Sequence, residues 1–169
     1  RPTLRASYPR GPSLNCAIWR YHPTRKIFET VAQGTTNPWG MDWDEHGEMF
    51  FINTVIGHLW HGIQGAHFKR MHGEDPYEHI YGLIDQHADH YHWDTGELWS
   101  DTKKAGPSAS TSEKGGGHAH CGAMVYLGDS FPDTYRNTIL MSNLHGHRLN
   151  NDLLELWRRR DGRLLSYEA

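Results

Sequence analysis

Apolar and polar residues alternate over short stretches of this chain, and the stretches follow one another at close intervals. "AIWRY" (17–21) alternates, and "IFETV" (27–31) follows a turn-like break at 22–26. In "WGMDWD" (39–44), Trp39, Met41 and Trp43 fall on one face of an extended segment. A period of two places alternate side chains on opposite faces, so each stretch is predicted as a half-buried strand. Asp44-Glu45-His46-Gly47 reads as a hairpin turn, because glycine reaches positive φ at no steric cost. "EMFFIN" (48–53) and "HLWHGI" (58–63) come next, giving four or five short strands predicted as one up-and-down sheet.

The second half repeats the first. "GAMVYLG" (122–128) leads to "NTILMSN" (137–143), "HGHRL" (145–149) and "LLELWRRRDGRLLSYEA". Phe50-Phe51-Ile52-Asn53 before Gly57-His58-Leu59 matches Leu140-Met141-Ser142-Asn143 before Gly146-His147-Arg148, and Gly40 matches Gly122. Repeated four-stranded units of this kind predict an all-β fold built as a β-propeller, each sheet packing on the next. The units span about 14–63 and 118–169. A His- and Trp-rich insertion (about 64–117) separates them, within one domain over 1–169. Inside it, 80–88 is predicted to form a helical turn or two. "KKAGPSASTSEKGGG" (103–117) reads as a low-complexity, mobile surface loop.

Composition adds three points. Fourteen histidines, seven tryptophans and eighteen glycines in 169 residues favour β-architecture over helix. A formal charge of −3 gives no electrostatic case for nucleic acid, and the Arg158–Arg160 run reads as a solvated turn. No stretch approaches the roughly 20 apolar residues needed to span a bilayer. The chain opens on Arg1 and stops in a strand-like segment, so it reads as a fragment of something longer. Cys16 and Cys121 either pair or stay free, and no Cys-x-x-Cys-His is present to attach a haem.

The candidate chemistry is dominated by imidazole. His87, His90 and His92 lie among Asp85, Asp89 and Asp94, and His118 and His120 share one face if 118–126 is extended. Such sets ligate Zn²⁺ or Cu²⁺, with His87, His90, His92 and Asp89 as the metal candidates. Equally, His, Trp and Tyr build hydrogen-bonded caps, and neither a His-Glu-x-x-His nor a Cys-His zinc spacing occurs. Cys121 stands beside His120, but adjacent strand residues face opposite ways, so Cys121 is expected to pack. Asn37, held extended by Pro38, is either a rigidly presented amide or an Asx-turn.

"IWRYHPTRKIFETVAQGTTNPWGMDWDEHGEMFF" and "CGAMVYLGDSFPDTYRNTILMSNLHGHRL" resemble strand patterns of the soluble glucose/sorbosone dehydrogenase-like β-propellers. With "DQHADHYHWDTG" and "GGGHAH", the chain is most similar to the N-terminal propeller of planctomycete and verrucomicrobial "membrane-bound dehydrogenase" proteins, which carry PVC-type haem-binding segments. The similarity covers about 14–155. It implies a six-bladed propeller, of which two to three blades lie here, in an exported, periplasmic oxidoreductase. The substrate would be a sugar or alcohol, and electrons would pass to a haem c in a cytochrome c domain outside this chain.

The resemblance also implies pyrroloquinoline quinone and calcium on the propeller axis. Asn37 matches the quinone-contacting Asn, and His145 with Arg148 falls near the contacting Lys. Asn53 lies where the calcium segment would fall. Thr36 stands where the family has Arg, and Thr cannot replace a bidentate clamp. The enzyme reading thus lines a mouth with Asn37, Asn53, His58, His118, His120, His145 and Arg148. His118, His120 and His145 are its catalytic candidates, one of them accepting the hydroxyl proton. A carbohydrate-binding module without catalysis, using Trp60, Trp93 and Trp99, is the alternative. A metal-dependent site is the third reading.

Overall fold

The computed structural model describes residues 14–54, 57–70, 82–88, 104–114, 116–117, 119–158 and 164–168. Within them the chain is mostly β. Strands β1 (Ala17–His22) and β2 (Ile27–Gly34) form an antiparallel pair, and β6 (His67–Phe68) adds to β2 in parallel. Strands β3 (Pro38–Trp43), β4 (Met49–Asn53) and β5 (Leu59–Gly62) form a second sheet in that order. Strands β7 (His120–Val125), β8 (Thr138–Asn143) and β9 (Arg148–Leu153) form a third, and β10 (Glu155–Arg158) pairs with β11 (Leu164–Glu168). Among the described residues three sheets carry three strands each and the β10–β11 sheet two, where four to a unit were expected.

The first half is two sheets where one was expected. The break lies at Gly34 and Thr35, both at positive φ (+87° and +68°). A Cβ on Gly34 would fall 1.9 Å from the Phe68 carbonyl oxygen, so only glycine admits β6 at that spot. Pro38 then restarts the chain in a new sheet. The Asp44 turn forms as expected. Gly47 has φ +80°, and Asp44 Oδ1 accepts from the backbone of His46 and Glu48.

The second sheet is covered on both sides. Alternation along β4 sends Met49 and Phe51 into one core with Ile18, Ala32, Trp60 and Phe68. It sends Phe50 and Ile52 into another core with Leu59, Val125, Ile139 and Met141. The first sheet therefore lies on one face of the second and the third sheet on the other. Contact with the third is closest at Gly40, where a Cβ would meet the Ala123 backbone nitrogen at 2.3 Å. Asp42 Oδ2 accepts from Val125 N–H across the same seam (2.9 Å).

Two insertion readings change. Described residues 82–88 are extended and bridge to strands, Ile84 to Phe68 and Ala88 to Leu59, rather than helical. The segment expected as a loose strap carries helix α1 (Ala109–Glu113), whose first turn is capped by Ser108 Oγ accepting from Thr111 N–H. Thr111 is fully buried, and Arg148 donates to the Ser112 carbonyl (2.8 Å) and Oγ (2.7 Å), fastening α1 to β9. No helix among the described residues is long and apolar enough to cross a membrane.

Candidate functional site

The middle strands of the second and third sheets end on the same residue type. Asn53 ends β4 and Asn143 ends β8, and both are buried. Each closes the turn that follows it. Asn53 Nδ2 donates to the Gly57 carbonyl (3.4 Å), and Asn143 Oδ1 accepts from Gly146 N–H (2.9 Å). The other half of each amide, Asn53 Oδ1 and Asn143 Nδ2, is buried with no hydrogen-bond partner among the described residues, as is Thr54 Oγ1. Such groups are costly to leave unpaired and call for water or a polar ligand. Backbone bonds tie these strand ends together. Thr54 N–H donates to Asn37 O (2.9 Å), Ala119 N–H to Thr54 O (3.1 Å) and Leu144 N–H to Ala119 O (3.2 Å).

A carboxylate–imidazole pair lies between the same two sheets. His58, just before β5, meets Asp152 of β9 with Nε2 and Oδ2 2.6 Å apart. His58 has no exposed surface and Asp152 only 7 %. The His120 ring lies 4.9 Å from that of His58, centroid to centroid, tilted by 31°. With Asp152 ionised, His58 Nε2 must donate, so in the neutral ring the lone pair sits on Nδ1. A carboxylate that fixes an imidazole's tautomer and supports its protonated form is how a histidine is made to accept a proton. The same bond also pins one sheet to the next.

The predicted residues divide between this cluster and other tasks. His120 opens β7 and is fully buried within the cluster, and His145 is half-buried in the turn 144–147. His118 lies outside the described residues, as do His90, His92 and Asp89. The His87 ring lies on Trp60 (4.8 Å), and its Nδ1 is 3.0 Å from the Asp85 carbonyl oxygen. No group of three metal-ligating side chains forms among the described residues. Cys16 and Cys121 are free thiols, both half-buried. Trp60 is buried against Phe51 and Phe68, so it offers no face to a sugar, and Trp93 and Trp99 lie outside the described residues.

The described residues do not assemble a quinone clamp. Asn37 Oδ1 is taken by the Trp39 indole N–H (2.9 Å). The Arg148 guanidinium is spent on Ser112 and on the Gly146 carbonyl (3.0 Å). Asn53 gives only its Nδ2 to a turn, and Thr36 supplies no charge. No step is therefore derived through a quinone or calcium.

Asp152 was missed by pattern. In Arg148–Leu153 ("RLNNDL"), alternation points Leu149, Asn151 and Leu153 one way and Arg148, Asn150 and Asp152 the other. Burial by hydropathy would bury the leucines, yet they are exposed and Asp152 is buried. The one available signal was a lone acid inside a strand of the second repeat.

A family model described as a domain of unknown function (DUF7133) matches residues 6–156. No curated protein and no solved structure matches the chain.

Proposed function

The chain belongs to the DUF7133 family of domains of unknown function, and from that premise we propose that it is a propeller-like part of an exported, periplasmic oxidoreductase acting on a sugar or alcohol. In this reading the described sheets are neighbouring blades. The strand-end cluster receives a hydroxyl group of the substrate. The observation that carries the reading is the buried Asp152–His58 pair with His120 beside it, next to unpaired Asn53 Oδ1 and Asn143 Nδ2. The amides present one acceptor and one donor, which suits a neutral hydroxyl. His58, held by Asp152, takes its proton. The C–H hydrogen leaves as hydride, carrying both electrons, for a redox group that the resemblance to dehydrogenases with a cytochrome c domain suggests.

The test is turnover by the full-length protein. Sugar- and alcohol-dependent reduction of an artificial electron acceptor is measured for the natural sequence, His58→Gln and Asp152→Asn. We expect activity in the first and a loss of about 10²–10⁴-fold in the variants, the usual share of a positioned base. Full activity in folded His58→Gln sinks the assignment of the base. No activity with any sugar or alcohol sinks the oxidoreductase reading.

A further inference from the structure

A second polar and aromatic site lies away from the histidines, between the first and second sheets. Ile18, Arg20 and Val31 of the first sheet and Met41, Trp43 and Met49 of the second line a groove of about 380 Å³, with Gln64 at its rim. Trp19 and Trp43 both line it and keep 55 % and 47 % of their surface exposed. An indole left half in water and half against a groove forfeits burial that the fold does not otherwise recover.

We propose that this groove binds a neutral pyranose sugar. Its size falls in the range of small-molecule sites, which run from about 300 to 1,000 Å³. The apolar wall formed by Met41, Trp43 and Met49 suits the C–H face of a sugar ring. Gln64 brings both a donor and an acceptor for hydroxyl groups. Arg20 brings donors, because only its Nε is engaged among the described residues, with Glu29 Oε2 at 3.0 Å. That ion pair also fixes the charge of the ligand. The guanidinium already faces Glu29, and the Glu48 carboxylate also lines the groove, so an acidic sugar gains little there while Glu48 offers acceptors to hydroxyl groups. A neutral polyol with one apolar face meets every group. This site does not depend on the oxidoreductase reading, since it is separated from His58 by the thickness of the second sheet and needs no turnover.

The test is calorimetric titration of the full-length protein with glucose, cellobiose and maltose, and with choline as a cationic probe. One of the sugars is expected to bind, and Trp43→Ala to weaken it about tenfold, the scale of one aromatic contact. Gln64→Ala weakens it by a smaller factor. Trp43→Phe keeps most of the affinity and carries the test if Trp43→Ala fails to fold. His58→Gln leaves the affinity unchanged, which separates this site from the proposed proton acceptor. The proposal is overturned if no sugar binds, if sugar binding survives both Trp43→Ala and Gln64→Ala, or if choline binds in preference to all three sugars.

Discussion

The second and third sheets come from near-identical strand patterns, yet they bury differently. All five residues of β4 are buried, because the first sheet covers one face and the third covers the other. In the third sheet, Ile139 and Met141 of β8 and Val125 of β7 pack onto the second sheet. Leu149 and Leu153 of β9, however, are 62 % and 52 % exposed. β8, the counterpart of β4, is itself buried at five of six residues, so the difference lies in the outer strand: Leu149 and Leu153 of β9 are open where Leu59 and Trp60 of β5 are buried. Neighbours, not strand sequence, set the burial of a repeat, as in any stacked array.

The sharpest way to break this comparison is to truncate both sheets. Phe51→Ala is expected to cost about 3–5 kcal/mol in urea unfolding of the full-length protein, the usual range for a buried phenylalanine. Leu149→Ala is expected to stay within about 0.5 kcal/mol. Similar costs for the two would mean that β9 is covered in the full protein.

The seam between the sheets comes next. Asp152→Ala leaves His58 buried without its carboxylate and is expected to cost about 3 kcal/mol. Replacing both partners with leucine removes the uncompensated group, so His58→Leu with Asp152→Leu should recover much of that loss. A double variant as unstable as the sum of the singles would show that the two residues do not act as a pair. Gly40→Ala forces a methyl toward the Ala123 backbone and is expected to cost about 1–3 kcal/mol, the range for overpacking. No measurable change in melting temperature would refute the close approach of β3 and β7.

The smallest effect lies at the outer face of the first sheet. Lys69 Nζ sits 2.8 Å from Asp85 Oδ2. That hydrogen bond, more than the charge attraction that accompanies it, holds the Asp85 carboxyl below its usual pKa. A depressed carboxylate pKa adds stability at pH values above the unfolded value, and the gain is lost as pH falls through the folded one. Lys69→Met should move the Asp85 titration, followed by NMR, up toward the ordinary aspartate range. The pair is exposed, so its share of stability is slight.

Strand positions were legible because a period of two needs only local sequence. β1 to β5 and β8 fall within a residue or three of their expected bounds. The hairpin at Gly47 follows from glycine's freedom at positive φ. Also legible were Asn53 and Asn143, aligned in the sequence and placed at the ends of the two middle strands β4 and β8. Most of the site was not. Asn37 and Arg148 matched a cofactor pattern, but their hydrogen-bonding groups went to Trp39 and Ser112, a choice made by neighbours in space. His120 was found as half of a His-x-His motif. Its companion in the fold is His58, 62 residues away along the chain.

By itself, then, the sequence determined that this chain is mostly β and where most of its strands begin and turn. These follow from backbone sterics and from side-chain alternation over a few residues. Only the tertiary structure decided that the first half splits into two sheets. It alone left the outer strand β9 open where β5 is covered, and it buried Asp152 in place of two leucines. Each of those outcomes turns on a partner far away in the chain: Phe68 for Gly34, Ala123 for Gly40, His58 for Asp152. Hydropathy assigns a residue an average environment, whereas a hydrogen-bond partner across a sheet interface lowers the cost of burial for one residue alone.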